Sequence, residues 1–260
     1  MTLTYATALR LPTRSAKPRE NGLTIVIDNG VPTQYFQDVM QSMGHLIDFV
    51  KFGWGTSLVT RDLEMKIHCL REHQIDFFFG GTLFEKYYMQ HQLDDYQLFC
   101  QSVGCHYVEI SNGTVGLSNR EKASWIREFA QNFRVFSEVG YKDTEKSINL
   151  RPAKWIEYIR EDLEAGAWKV ITEARETGTA GIVRPDGELR FGLMEEIFDA
   201  VDPKFMVYEA PNKTLQTYFI SRLGPEVNLA NISFHDPIPL ETLRMGLRSD
   251  TLMLFEENDA

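Results

Sequence analysis

From Leu23 onward, short apolar runs alternate with stretches in which apolar residues recur every three or four positions. The runs predict buried strands and the periodic stretches predict amphipathic helices. Leu23–Ile27 is the first run, ending in Asp28, Asn29 and Gly30, and Phe36, Val39, Met40 and Met43 then share a helical face that Gly44 closes. DFVKFGWGT, from Asp48 to Thr56, is the second run, with Leu63, Ile67 and Leu70 behind it. Asp76–Phe79 leads into GGTLFE and a helix through Leu93, Tyr96, Cys100 and Val103. The fourth strand is Tyr107–Ser111, after which Ser118 and Glu121 form a capping-box pattern ahead of Ile126, Phe129, Ala130 and Phe133. Val135–Val139 is the fifth; Pro152 opens the next helix, with Ile156, Ile159 and Leu163 on one face and Gly166 as its stop. Lys169–Glu173, Phe205–Glu209 and Val227–Ala230 complete the strands, each with a helical pattern after it: Leu193, Met194, Ile197 and Phe198; Leu215, Tyr218, Phe219 and Leu223; Leu240, Leu243 and Leu247.

Eight strand-then-helix units without a linker between them predict an α/β protein, a single-domain (β/α)8 TIM barrel over residues 21–254. A flexible leader, residues 1–20, and an acidic tail, residues 255–260, flank it. A doubly wound sheet is the competing fold, but it wants a glycine-rich phosphate loop after its first strand, and IDNG is not GxGxxG.

Charge narrows the partners. With 27 basic and 37 acidic residues the net charge is −10, which argues against a broad nucleic-acid-binding face. An anionic substrate must be caught by local positive charge. Three cysteines without a CxxC, and six histidines without an HxxxH or HExxH pairing, point to a reduced, cytoplasmic protein lacking a zinc site. No apolar run reaches the length of a membrane span, so no membrane partner is expected.

In such barrels the chemistry sits at the C-terminal ends of the strands. Glu109, Glu138, Glu173 and Glu209 end or nearly end strands four to seven, and Asp28 ends the first. Crowded at one mouth they would repel one another, and a divalent cation would relieve this; oxygen ligands without histidine or cysteine favour Mg2+. Opposite them stand Lys51, Lys142, Arg175 and Lys213. Lys51, between Val50 and Phe52, must snorkel or border a polar cavity. Asn231 in NLANI follows the eighth strand, where barrels often hold phosphate, and GGT after the third could offer backbone N–H groups to an anion or only make a turn. Taken singly, each acid could equally be a salt bridge at the rim.

DFVKFGWGTS, FGGTLFE, VEISNGT, SEVGYK, EARETG, EAPNKTLQ, VNLANISF and ETLRMGLRSDT occur in this order and together resemble the phosphosulfolactate synthase family over about Gly22 to Leu252. The resemblance implies a (β/α)8 barrel that adds sulfite to phosphoenolpyruvate with Mg2+, giving (2R)-phospho-3-sulfolactate for coenzyme M or sulfolactate synthesis, in a homo-oligomer. It implies Lys142 as the general acid, Lys51 in catalysis and substrate binding, and Arg175, Lys213, Asn231 and Asn29 as further substrate contacts. Glu109, Glu138, Glu173, Glu209 and Asp28 would be the metal ligands or their neighbours. The chain departs from the family pattern at Asn29, where lysine is usual, at Asn112, where aspartate is usual, and at Tyr141, where lysine is usual. These departures leave open an enolate-forming lyase with a different nucleophile. A non-enzymatic stress-protection protein, similar to plant heat-stress-associated members, is the third reading.

Overall fold

A computed structural model describes residues 9–174, 180–184 and 186–255. Its strands are β1 Thr24–Asp28, β2 Phe49–Phe52, β3 Asp76–Phe79, β4 Tyr107–Ile110, β5 Arg134–Val139, β6 Lys169–Thr172, β7 Met206–Glu209 and β8 Leu229–Ile232. The pairings between these strands are parallel, in the order β3-β2-β1-β8-β7-β6-β5-β4, so β1 and β8 meet and the sheet curls into a barrel. The predicted (β/α)8 architecture is thus the observed one. Among the described residues no ladder joins β3 to β4, and this seam is bridged by other groups. The Cys105 thiol donates to the Phe77 carbonyl at 3.4 Å, and the Gly81 amide to Glu109 Oε1 at 2.6 Å.

Outside the strands lie α1 Thr33–Met43, α2 Leu63–Glu72, α3 Gly81–Met89, α4 Leu93–Ser102, α5 Asn119–Phe129, α6 Thr144–Asn149, α7 Pro152–Glu164, α8 Phe191–Ala200, α9 Lys213–Leu223 and α10 Pro237–Arg244. The Ser118 hydroxyl and Glu121 form the expected reciprocal cap on α5, and Pro152 stands in the first turn of α7. Two helices go beyond the sequence expectation. α3 begins on a glycine, which has weak helical propensity, and α6 is too short to show a period; its start is set by Asp143, whose side chain accepts from the Lys146 amide. Gly44 ends α1 in a right-handed conformation and passes the chain into a short 3-10 turn at Gly44–Leu46. Leu247 lies beyond α10 and is half-exposed, so it is not part of that helix's buried face.

Strand periodicity builds the interior in layers. Residues two apart on a strand face the same side, so Phe49 and Lys51, Tyr107 and Glu109, and Phe136 and Glu138 form matching pairs on β2, β4 and β5. The aromatic members, with Trp168, pack into a floor with ring centroids 4.7–5.9 Å apart. The charged members lie one layer above, toward the C-terminal mouth. The floor closes the barrel from below and removes water from beneath the charges.

The leader expected to be flexible carries anchors in its described part. Arg14 pairs with Glu226 and with Glu241, Lys17 donates to the carbonyls of Gly44 and Ile47, and Arg19 lies 3.5 Å from Asp48. These basic side chains find acids and open carbonyls where the chain enters β1, β2 and β8. No described helix is long and apolar enough to cross a membrane.

Candidate active site

A cavity of about 430 Å³ opens at the C-terminal mouth of the barrel. Lys51, Glu109, Glu138, Lys142, Glu173, Glu209 and Asn231 line it, brought there by β2, β4, β5, β6, β7, β8 and the turns that follow them. Lys51 reaches to its centre: Nζ lies 2.9 Å from Glu109, 3.3 Å from Glu209 and 3.7 Å from Glu138. Burial opposes its charge, but Glu109, Glu209 and Glu138 outweigh burial and hold the ammonium well above the ordinary lysine range. Lys142, from the turn after β5, lies 3.6 Å from Glu138 and 3.7 Å from Glu173, and donates to the Thr82 hydroxyl at 3.3 Å. Its pKa is also raised, because Glu138 and Glu173 overcome burial.

The four carboxyl groups are not equivalent. Burial pushes Glu109 up to about 7 against the pull of Lys51. Burial acts upward on Glu138 too, but Lys142, Lys51 and a hydrogen bond from Glu173 bring it down to about 2. Glu173 is raised well above the usual range by burial and by the neighbouring Glu138 and Glu209 charges. The two are thus pushed in opposite directions, Glu138 toward the ionised form and Glu173 toward the protonated one. Backbone amides fix the outer two: Gly81 N–H donates to Glu109 Oε1, and Ala174 N–H to Glu209 Oε2 at 2.8 Å.

Magnesium fits this donor set in a limited way. Among the described residues no three histidine, cysteine or acidic side chains are arranged to cage an ion. Magnesium rarely needs such a cage, since one or two carboxylates with waters and substrate phosphate suffice. Glu109 Oε2 and Glu138 Oε1 are ion-paired, with Lys51 Nζ at 2.9 Å and Lys142 Nζ at 3.6 Å, so a cation would take either oxygen only by displacing an ammonium group.

Other expected site residues lie elsewhere. Asp28 does not line the cavity: it lies 2.5 Å from Lys66 Nζ and accepts from the amides of Gly30 and Val31, so both its oxygens serve the turn after β1. A buried ammonium on α2 has claimed the carboxylate that strand position alone assigned to metal. Lys213 pairs with Asp250 at 3.0 Å on the outside of α9. Asn29 is exposed on the turn after β1 and is not part of the cavity lining, and Arg175 lies outside the described residues. Asn112 donates to the Leu117 carbonyl at 2.9 Å, and Tyr141 packs beside Tyr158, so neither departure from the family pattern touches the cavity.

Trp54, Thr82 and Thr114 also line the cavity, none of them named individually as a site residue from the sequence. Trp54 adopts a left-handed backbone at φ 50°, between Gly53 and Gly55, and stands half-exposed at the rim. Thr82 comes with α3, whose first glycine is required. A Cβ on Gly81 would fall 2.3 Å from the Ser111 hydroxyl and 2.9 Å from Glu109 Oε1. Thr114 is held by Glu85, which accepts from the Ser111 hydroxyl at 2.7 Å and from the Thr114 amide at 3.4 Å. The GGT and SNGT segments carried the signal, as small and hydroxyl residues beside strand ends.

Known proteins bear on this geometry. Residues 12–250 match the pattern of the (2R)-phospho-3-sulfolactate synthase family. Over 248 residues the chain is 56% identical to phosphosulfolactate synthase of Bacillus subtilis, covering 95% of this chain and 98% of that one. It is 40% identical to the phosphosulfolactate synthase of Methanothermobacter thermautotrophicus over 93% of this chain and 95% of that one. Among solved structures, 3-keto-L-gulonate-6-phosphate decarboxylase from Vibrio cholerae superposes with a TM-score of 0.55 at 8% identity, over 91% of this chain and all of that one. A 3-hexulose-6-phosphate synthase superposes with a TM-score of 0.53 at 14% identity, over 85% of this chain and 98% of that one. At those identities the structural likeness speaks for the fold alone.

Proposed function

The chain belongs to the (2R)-phospho-3-sulfolactate synthase family and is an enzyme of that lyase type; from this premise we propose that its mouth cavity adds sulfite to phosphoenolpyruvate with magnesium. The observation that carries the proposal is the charge balance of the cavity, in which four buried carboxyl groups face two ammonium groups. Two anionic substrates enter such a site only if positive charge comes with them or stands ready. Glu138 and Glu109, whose Oε1 and Oε2 face Lys142 and Lys51, are the residues that would hold magnesium. The chemistry magnesium supplies when bound is neutralisation of the negative charge that develops on the substrate carboxylate.

The remaining steps fall to the chain's own groups. Sulfite sulfur forms a bond to the methylene carbon, and the alkene electron pair moves toward the carboxylate. The adjacent carbon then takes a proton from Lys142. Its high pKa keeps the ammonium protonated until an enolate-type carbon, a far stronger base than water, is beside it. Lys51 acts as the internal counter-ion that keeps Glu109, Glu138 and Glu209 in one layer, and it shapes substrate binding through them. Asn231, buried in a left-handed conformation, through its Nδ2 group, and the hydroxyls of Thr82 and Thr114 contact substrate oxygens.

Lys142→Met tests the assignment. Phosphoenolpyruvate binding, read by calorimetry with magnesium present, should persist within a few-fold, while turnover falls by about a hundredfold or more, the scale of a lost general acid. Turnover that survives the substitution, or binding that vanishes with it, would contradict the role. Removing magnesium with a chelator should stop the reaction and adding it back should restore it. We place the enzyme in the cytoplasm as a homo-oligomer, in keeping with its free Cys69, Cys100 and Cys105, and light scattering checks the subunit count.

A further inference from the structure

Behind β5, on the side away from the cavity, α5 and α7 bury an ion pair. Lys122 Nζ lies 2.7 Å from Asp162 Oδ2, and both side chains are wholly inaccessible. The same ammonium donates to the main-chain carbonyl of Glu138 at 2.8 Å. Asp162 in turn accepts from the Ser137 hydroxyl and, at 3.3 Å, from Asn119 Nδ2. Two consecutive residues of β5 are thus gripped from outside, Ser137 through its side chain and Glu138 through its backbone.

Stability gives no reason for this arrangement. Burying two charges costs several kcal/mol each before their attraction is counted, and well-packed apolar substitutes are commonly neutral or better by about 1–4 kcal/mol. Position along the strand gives a better reason. Ser137 faces the helices, so Glu138, one residue on, faces the cavity and extends its carboxylate between Lys51 at 3.7 Å and Lys142 at 3.6 Å. Those two contacts depend on where the strand end sits. A tether on the Glu138 carbonyl fixes the peptide from which that side chain springs.

We propose that Lys122 and Asp162 are positioning residues for the reaction: they lock the end of β5 so that the Glu138 carboxylate stays between the two catalytic-layer lysines. The proposal rests on the cavity being the active site. It holds that the pair acts through Glu138 and through no other group. Neither residue touches the cavity, and sequence position alone marks them as ordinary members of α5 and α7.

A double-mutant cycle tests it. The apolar pair Lys122→Met with Asp162→Leu is placed in the native chain and in Glu138→Gln. Two quantities are read: kcat/KM with phosphoenolpyruvate and sulfite, and calorimetric affinity for phosphoenolpyruvate with magnesium, which stays measurable without turnover. In the native background the pair should lower kcat/KM by about ten- to a hundredfold, the usual scale for groups that orient a site residue, and shift the affinity measurably, with Tm unchanged or raised. In the Glu138→Gln background it should change either quantity less than about twofold, the size of ordinary non-additivity error. Equal losses in both backgrounds, or no loss in the native one, would overturn the proposal. Lys122→Gln with Asp162→Asn, which keeps polar contacts without charge, runs the same cycle if the apolar pair does not fold. Failure of both pairs to fold would make the ion pair a structural requirement and also overturn it. Should the native chain itself leave phosphoenolpyruvate and sulfite unreacted, the proposed activity fails before any variant is considered, so the two failures are distinct.

Discussion

Replacing Lys51 by methionine would leave Glu109, Glu138 and Glu209 facing one another without the ammonium that lies within 3.7 Å of each. Unpaired buried charge of this kind typically costs about 3–5 kcal/mol, so Lys51→Met should unfold at much lower denaturant at pH 7 and regain part of the loss in acid, where the carboxylates take up protons. Equal midpoints for the two proteins would contradict the central place given to Lys51. Glu109 makes a second, opposite-signed prediction. Burial first, and then the Glu138 charge, raise it from its ordinary value near 4.5 to about 7, so the folded chain binds that proton more tightly than the unfolded chain does. Its contribution is present below pH 4.5 and is lost as the pH rises through about 7. Glu109→Gln should therefore show a flatter decline of Tm than the native protein over that window, and parallel curves would contradict the shift. Much at this scale was legible beforehand. A lysine or a glutamate at the end of a strand in a barrel can only reach the mouth, and that rule located Lys51, Glu109, Glu138, Glu173 and Glu209. It failed for Asp28 because Lys66, on the buried face of α2, reaches the strand end from behind, and such a meeting depends on helix packing, not on strand position.

Helix α3 shows how an element can be hidden in a sequence and still define the site. It starts at Gly81, whose amide holds Glu109, and its second residue, Thr82, receives the hydrogen bond of Lys142. Gly81→Ala would drive a methyl group against Ser111 and Glu109, at distances no relaxed Cβ adopts. Overpacking of this kind costs about 1–3 kcal/mol, and because the displaced group is a cavity carboxylate, kcat/KM should fall further than stability does. A variant with full activity would show that the α3 entry has more room than its geometry allows. Strands were easier to read than this helix. The apolar runs are bounded by turns and buried on both faces, whereas α3 and α6 are short and open on residues that lack any helical period.

At the scale of the whole molecule the two ends of the barrel divide stability from chemistry. The N-terminal end holds the leader through Arg14, Lys17 and Arg19, and the aromatic floor separates that end from the charged layer above. Arg14→Ala should lower stability by about 1–3 kcal/mol, seen as a drop of several degrees in Tm, while kcat at 25 °C stays native. Loss of turnover in that variant would mean the two ends are coupled. The order of the eight units was legible because each carries its own apolar run and helical face; the leader's anchoring was not, because Lys17 and Arg19 meet partners more than 25 positions away and Arg14 meets acids more than 200 away. The function rests on one reaction at one mouth. Phosphorus NMR of the native protein with phosphoenolpyruvate, sulfite and magnesium tests it most directly. The phosphoenolpyruvate resonance should give way to that of phosphosulfolactate, and with Lys142→Met it should persist; an unchanged phosphoenolpyruvate signal with the native protein would contradict the account.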